Sequence, residues 1–151
     1  MDCWILHCNI NHYRWIDQMR EHKNDFDTWG ISLYIYEIRL QDIAFIWLSN
    51  EKGKRNRGIY AMAKITGLPD EKRKRFDWEY QYWVDKEEMK RLSSLPRLEI
   101  RYIKFIDRPL LVDDLKAASL EHLLVLRMPQ RGIYKLTEEE GEKIRRMIGI
   151  R

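Results

Sequence analysis

The sequence predicts an α+β fold: a small curved β-barrel of about six strands with short helices at its margins. Two observations lead to this fold class. Runs rich in β-branched and aromatic residues recur along the chain between polar turns, and the helical segments among them are short. No strand leads through a glycine-rich loop into a long helix, which argues against a doubly wound sheet. The 151 residues fit one domain, residues 1–151, built on one core.

The predicted strands are recognised by composition and by alternation. The run from Ile43 to Ser49 is almost wholly apolar, and the run from Gly58 to Thr66 alternates between two faces. The polar segment 24–30, NDFDTWG, is predicted to be a loop. The six predicted strands are Trp4–Cys8, Ile31–Ile38, Ile43–Ser49, Gly58–Thr66, Arg97–Ile106 and Gly132–Leu136.

Helix starts are marked by side chains that can accept hydrogen bonds from the first turn. Asn11 is placed to cap a helix from about His12 to His22, with Trp15 on the side opposite its apolar face, exposed or covering one end of the barrel. The aromatic stretch 76–84 is left without an assignment. Later helices are predicted over 85–95, from 112 onward, and over 137–148, the first and last behind capping boxes.

Composition excludes several classes of protein. The chain is 44% hydrophobic and 34% charged, as a globular protein is, and charges interrupt every apolar stretch before it could span a membrane. Cys3 and Cys8 are the only cysteines, so a reduced, cytoplasmic protein without a disulfide framework is expected. The N-terminus lacks the pattern of a signal peptide. Many Lys, Arg and Glu residues favour a thermophilic source.

Four segments carry, in order, the motifs of a known family. They follow a first strand WILHCNIN and read QDIAFIWLSN, RGIYAMAKITGLPD, LEIRYIKFIDRPLLVDDLKA and LVLRMPQRGIYKLTEEEGEKI. In this order they resemble the EVE family of PUA-like domains and, more distantly, the YTH domains that read methylated adenine. The resemblance implies a PUA-like barrel that binds a modified base, flipped out of a nucleic acid into an aromatic pocket.

The resemblance also implies which side chains would hold the base. Trp29 falls where YTH domains place their first pocket tryptophan. Trp78 is preferred to Trp83 as the second because it lies nearer a basic loop, and Trp83 is expected to pack beneath the sheet. Asn9 follows the first strand, where it would bond a ring edge of the base or simply form a turn. Stacking on two indoles can offset the few kcal/mol that base extrusion costs, at roughly 1–3 kcal/mol per stacked base.

Two further pocket candidates lie on the strand that ends at residue 49. Trp47 shares a face with Ile43 and Phe45, so a core position is at least as well supported as a pocket wall. Ser49 and Asn50 end the strand and would add polar contacts or shape the following hairpin. Trp4, in the first strand, is expected in the core.

Two clusters of cations border the strand that is expected to line the pocket. The clusters are Lys52, Lys54, Arg55 and Arg57 in the hairpin before it, and Lys72, Arg73, Lys74 and Arg75 in the loop after it. Such runs are usually solvated surface, but phosphate contact also requires clustered cations beside the pocket. The net charge of +4 permits an anionic partner without requiring one.

No catalytic motif, metal or cofactor is predicted. Cys3, His7, Cys8 and His12 have suitable chemistry for a metal, but a strand directs Cys3 and His7 to one face and Cys8 to the other. A structural role is therefore expected for His7. Serine hydrolase, zinc protease and zinc deaminase motifs are missing, so a binding domain is expected rather than an enzyme.

The predicted function is therefore a reader of a modified base, N6-methyladenine or 5-methylcytosine, most readily in DNA. Similar domains precede the GTP-hydrolysing motor of McrB-type restriction proteins, so a fused or associated GTPase motor and nuclease are the expected partners, with no membrane. Two alternatives stay open. One is an RNA-binding PUA-like accessory module, and the other is a protein-interaction domain with an aromatic ligand pocket.

Overall fold

The computed structural model describes residues 1–22, 25–49 and 56–150. The strands are β1 (Cys3–Asn9), β2 (Phe26–Gly30), β3 (Ile43–Ser49), β4 (Gly58–Asp70), β5 (Arg97–Leu111) and β6 (Ile133–Lys135). The helices are α1 (Trp15–Glu21), α2 (Lys86–Ser93), α3 (Val112–Ala117), α4 (Leu124–Arg127) and α5 (Glu138–Ile150), with a 3-10 helix over Asp77–Tyr82. In this part of the chain, no helix is both long and apolar enough to cross a membrane.

The strands form one six-stranded sheet in the order β2-β5-β4-β3-β1-β6. All neighbours are antiparallel except β1 and β3, which run parallel. The pairing of β4 with β5 shifts register four times along its length. Each irregularity of this kind bends and twists a strand, and the sheet curls into a half-barrel. The predicted α+β, PUA-like fold of about six strands is confirmed.

Each face of the sheet packs against its own set of helices. On one face, Trp4 and Ile46 lie in a cluster with Trp15 of α1. On the other, Trp47 lies in a cluster with Ile144 of α5. Because β1 and β3 are covered on both faces, they read as continuous apolar runs rather than as alternating ones. The predicted core position of Trp4 is confirmed.

The first helix differs from its prediction. It begins at Trp15 instead of His12, and no side chain caps it. Trp15 is 3% exposed and donates its indole N–H to the hydroxyl of Tyr102 at 3.0 Å, whereas Ile16 is 38% exposed. The buried face includes Gln18, whose amide is satisfied inside the protein. The face of α1 that packs against the protein therefore contains Trp15 and Gln18, and not Ile16 of the predicted apolar face.

One predicted strand is wrong and one predicted loop is a strand. Residues 31–38 form turns, with Tyr34 at a φ of 59°, a left-handed conformation that a strand cannot accommodate. The strand that pairs with the outer edge of β5 is instead β2, within the segment interpreted as a loop. Its polar residues Asp27 and Thr28 are buried and hydrogen-bonded, which their composition alone did not indicate.

Among the remaining elements, β4 and β5 continue past their predicted ends, to Asp70 and Leu111, and α4 was not predicted, while the others follow their patterns. β3 has the predicted bounds, and the side chain of Asp85 accepts the backbone N–H groups of Glu87 and Glu88 at the start of α2. Thr137 and Glu140 exchange hydrogen bonds ahead of α5, as a capping box requires.

Candidate functional site

A cavity of about 450 Å³ lies where β1, β2 and β3 approach the 3-10 helix and α2. This volume is within the range of pockets that hold small ligands. Among its lining residues are Asn9, Trp29, Ser49, Arg57, Trp83 and Arg97. Four of the six predicted base-pocket residues therefore line a single cavity: Asn9, Trp29, Ser49 and Trp83.

The two indoles are held by different means. Trp29 lies in the edge strand β2, in register with Leu98 of β5. Trp83 follows the 3-10 helix and forms a β-bridge with Tyr13, whose ring centroid lies 4.9 Å from that of Trp83. The guanidinium of Arg75 packs over the Trp83 ring at 5.1 Å from its centroid. Both indoles are half-buried, so each has surface to offer a ligand.

Trp78 and Trp47, the other two candidates, lie elsewhere. Trp78 stacks with His22 and with Phe76, at centroid distances of 5.5 and 5.6 Å, and it lines a shallow groove separate from the cavity. The preference for Trp78 over Trp83 is thus reversed, because proximity in sequence to the basic loop does not bring Trp78 to the cavity. Trp47 is 1% exposed and packs in the core, which leaves it no surface for a ligand.

Three residues of the cavity lining carry a buried nitrogen donor without a hydrogen-bond partner among the described residues. Within the described part of the chain, Arg57 Nε, Trp83 Nε1 and Arg97 Nη1 are buried and unpaired, and their residues all line the cavity. These groups can only donate. Leaving a buried donor unpaired costs about 1–3 kcal/mol. The residues that carry these atoms bring side chains with donor groups to the cavity lining.

A polar network formed by Asp27, Thr28, Glu79 and Arg97 also lines the cavity. Thr28 donates its hydroxyl to Glu79 at 3.0 Å and receives Arg97 Nε–H at 3.2 Å. Asp27 accepts the hydroxyl of Tyr102 at 2.6 Å, and a further bond from Gln18. Every member is buried, so these residues are held by one another instead of by solvent.

Burial raises the pKa values of the two acids in this network, Glu79 and Asp27. Burial raises the pKa of Glu79 to about 8, and the neighbouring Asp27 carboxylate acts in the same direction. Burial also raises the pKa of Asp27, against the hydrogen bonds that it accepts. Near neutral pH, Glu79 therefore keeps its proton. Burial lowers the pKa of Arg97 to about 10, so the guanidinium stays charged beside the acid pair.

His7 and Ser49 form a hydrogen-bonded pair at another part of the lining. His7 Nδ1 lies 3.1 Å from the backbone carbonyl oxygen of Arg131, and His7 Nε2 lies 2.5 Å from Ser49 Oγ. Burial lowers the pKa of His7, so the imidazole is neutral. Asn9, in register with Ser49, accepts the backbone N–H of Asn11 at 2.9 Å. Asn9 thus shapes a turn and also lines the cavity.

The residues predicted to contact phosphate differ in where they lie. Arg57 lines the cavity, whereas Lys52, Lys54 and Arg55, like Asn50, lie outside the described residues. Lys72 and Lys74 are exposed.

Two arginines of the second cluster are occupied by the protein itself. Arg73 Nη1 donates to the carbonyl oxygens of Leu68 and Arg97 at 2.5 and 2.9 Å. Arg75 is 6% exposed, and its Nη2 donates to the carbonyl oxygen of Met89 at 3.1 Å. The expectation that Arg75 contacts a phosphate is therefore wrong, because its guanidinium is buried against Trp83.

The cysteine and histidine pattern near the N-terminus does not converge. Cys3 and Cys8 are free, buried thiols on opposite faces of β1. In the described ranges, no three His, Cys, Asp or Glu side chains form a group that could hold a metal ion.

Comparison with known proteins assigns the family. The EVE domain model matches residues 2–147. The chain belongs to the EVE domain family. No curated protein sequence matches this EVE domain significantly.

Solved structures share the fold of this EVE domain at low sequence identity. The human THYN1 protein, solved in complex with DNA containing 5-methylcytosine, has a TM-score of 0.67 and 14% identity over 98% of both chains. Rpa0253 from Rhodopseudomonas palustris has a TM-score of 0.66 and 16% identity, over 99% of this chain and 94% of its own. The YTH domain of MRB1 from Zygosaccharomyces rouxii, solved with N6-methyladenosine RNA, has a TM-score of 0.50 and 11% identity, over 97% and 86%.

Several lining residues of the EVE domain were not predicted from sequence. Asp27, Glu79 and Arg97 come from β2, the 3-10 helix and β5, and no local motif connects them. Arg91 and Arg131 also line the cavity, each as a single arginine outside the two basic runs. The available signals were the position of Asp27, two residues before Trp29, and the place of Arg131 in the closing family motif.

Proposed function

We propose that this EVE domain reads a methylated base in DNA, flipped out of the duplex into the cavity beside Trp29 and Trp83. The observation that carries the proposal is a single one. Two half-buried indoles line one cavity of about 450 Å³ together with three buried donors that have no partner within the described chain. Aromatic faces and side chains with hydrogen-bond donors are groups that a nucleobase can use at once.

The energies support extrusion of a base. Taking a base out of the stack costs a few kcal/mol, and stacking on an aromatic side chain returns roughly 1–3 kcal/mol. Each donor that gains an acceptor removes a desolvation cost of about 1–3 kcal/mol. One buried methyl group adds only about 0.8 kcal/mol, close to a four-fold preference for the methylated base.

DNA is the proposed partner, and restriction the proposed context. The chain belongs to the same broad fold as human THYN1, whose structure contains 5-methylcytosine DNA, and that fold is nearer than the RNA-bound YTH domain by TM-score. A reader without catalytic groups of its own would provide specificity to an associated GTPase motor and nuclease.

Cations at the mouth of the cavity are the proposed phosphate contacts. Arg57, Arg91 and Arg131 all line it, and Arg91, which is exposed, is also paired with Glu88 through Nε at 3.0 Å. Lys52, Lys54 and Arg55 are close to Arg57 in the sequence, and Lys72 and Lys74 are exposed cations of the second cluster. Backbone contacts of this type position the nucleic acid without reading its sequence.

The test is a binding panel with matched tryptophan variants. Duplexes with one central 5-methylcytosine or one N6-methyladenine are compared by fluorescence anisotropy with unmodified DNA and with RNA. Trp29→Ala and Trp83→Ala should each reduce the modified-base preference to near unity. Trp78→Ala removes the same residue type outside the cavity and should keep the preference, with thermal melts showing that all three variants fold.

Three results would contradict the proposal. A folded Trp83→Ala protein that still discriminates would remove the cavity from the function. Tighter binding of the RNA set would favour the accessory-module alternative. Absence of any salt-dependent affinity would favour a protein-interaction domain.

A further inference from the structure

The two hydrogen bonds of His7 determine which atom is the donor in its contact with Ser49 at the cavity wall. The carbonyl oxygen of Arg131 can only accept, so His7 Nδ1, 3.1 Å away, must carry a hydrogen. A neutral imidazole then presents a lone pair at Nε2. That nitrogen lies 2.5 Å from Ser49 Oγ, and the hydroxyl of Ser49 must be the donor.

The state of His7 follows from its surroundings. Its side chain extends from β1 and lies beside Ser49. Burial lowers its pKa, so at neutral pH the imidazole carries one ring proton and not two. His12, the other histidine of the lining, lies 3.8 Å from Asp85 and also lowers the pKa of His7 electrostatically, after burial, while the hydrogen bonds of His7 are to Arg131 and Ser49. The chain of bonds thus runs from Ser49 to His7 and from His7 to Arg131.

This direction determines what Ser49 can offer a ligand. A serine hydroxyl has one proton and two lone pairs, and the proton is engaged by His7. Toward the cavity, Ser49 Oγ can therefore only accept. A group that meets Ser49 must bring its own N–H or O–H.

We infer that Ser49, oriented by His7, accepts a hydrogen bond from the exocyclic amino group of the bound base, so that the cavity selects amino-bearing bases over keto bases. The inference rests on the proposed function, since it assigns an edge of the base to the wall of that cavity. Cytosine and adenine carry an amino donor beside a ring-nitrogen acceptor. Thymine has a carbonyl oxygen at the corresponding position, beside a ring N–H.

The donors across the lining fit the same assignment. Trp83 and Arg97 line the cavity, and the nitrogen groups of their side chains can only donate, to a ring nitrogen or a ring carbonyl. An amino-bearing base can thus satisfy both the acceptor at Ser49 and at least one donor. A keto base would set its carbonyl oxygen against the lone pairs of Ser49. Failure to satisfy a buried polar group of this kind corresponds to a discrimination of at least about five-fold.

The experiment compares 5-methylcytosine with thymine at one position. The two bases share the 5-methyl group and differ in the amino or carbonyl group that Ser49 would meet. Each is placed opposite an abasic site, so that base pairing contributes equally to extrusion. The wild-type protein should prefer 5-methylcytosine by at least about five-fold. The adenine and hypoxanthine pair tests the same difference in the purine series.

Two variants separate the roles of the pair. Ser49→Ala should lose the amino preference, whereas Ser94→Ala, an exposed serine after α2, should retain it. His7→Phe removes the acceptor at Nε2 and frees the Ser49 hydroxyl to donate, so thymine affinity should rise toward that of 5-methylcytosine. A merely structural role for His7 would weaken both bases in equal proportion.

A ligand-free measurement completes the test. Nitrogen-15 NMR of the histidine rings should show His7 as the neutral Nδ1–H tautomer, and an Nε2–H tautomer would overturn the inference whatever DNA is bound. If methylated DNA is preferred over unmodified DNA but thymine binds as well as 5-methylcytosine, the inference fails and the proposed function stands. If methylated and unmodified DNA bind alike, the proposed function fails.

Discussion

Replacement of Glu79 by glutamine tests the buried polar network directly. Glu79 is buried, accepts the Thr28 hydroxyl at 3.0 Å and has Asp27 as a charged neighbour. Burial, followed by that charge, raises its pKa from 4.5 to about 8. The protonated acid is therefore the form that the fold accommodates. Glutamine has the same shape and keeps both an acceptor for Thr28 and a donor.

The sign of the effect follows from proton linkage. Below pH 4.5 the carboxyl is protonated in both the folded and the unfolded chain, so it costs nothing. Between pH 4.5 and about 8 the unfolded chain releases a proton that the folded protein retains, and the free energy of unfolding falls as pH rises. One pKa unit corresponds to about 1.4 kcal/mol. The whole interval therefore amounts to an upper value of about 5 kcal/mol, reached above about pH 8.

Glu79→Gln should remove this cost. We expect the variant to unfold with nearly the wild-type free energy at about pH 4 and to gain up to about 5 kcal/mol at about pH 8.5. Urea unfolding followed by tryptophan fluorescence at several pH values measures both. Glu71→Gln, at an exposed turn residue, makes the same chemical change as a control. Parallel pH profiles for wild type and Glu79→Gln would show that Glu79 is ionised in the fold and refute the reasoning.

Two other predictions concern packing and phosphate binding. A Cβ at Gly58 would lie 2.1 Å from the carbonyl oxygen of Leu110, so Gly58→Ala should destabilise the β4–β5 pairing by more than about 3 kcal/mol; an unchanged melting temperature would contradict this. Joint replacement of Lys54, Arg55 and Arg57 by alanine should weaken modified and unmodified DNA alike. It should also flatten the salt dependence of binding, by roughly one in slope for each phosphate that is no longer neutralised. An unchanged slope would place this hairpin outside the interface.

The fold was predictable because its determinants are local or recur in a fixed order. The apolar run at 43–49 needed no tertiary information, and the capping residues Asp85 and Thr137 mark their helices within one turn. Four motifs in family order were sufficient for the EVE assignment. The errors at 26–38 have two causes: residues 31–38 form turns despite their strand-like composition, and β2 is built from polar residues. Asp27 and Thr28 look like loop residues until their partners, distant in sequence, are known.

The cavity was only partly predictable. Asn9 and Ser49 lie in strands whose place in the family order is recognisable, whereas Trp29 was found through the resemblance to YTH domains, in a segment predicted to be a loop. The exchange of Trp78 for Trp83 could not be foreseen, because the two lie close together in sequence and only the bridge from Trp83 to Tyr13 places one of them at the cavity. Arg75 shows the same limit. A cation in a basic run looks solvated until the packing of Trp83 and α2 around it is known.

From the chain alone come most of the strands, the starts of α2 and α5, the family and a supply of aromatic and basic residues. These depend on neighbours a few positions apart, where steric preference and side-chain capping operate. The packing of distant segments decides which groups face the cavity. It also decides the protonation of Glu79 and the donor in the hydrogen bond between Ser49 and His7. Burial and hydrogen bonding between such segments change what a side chain can donate, accept or ionise, and no short window of sequence contains that information.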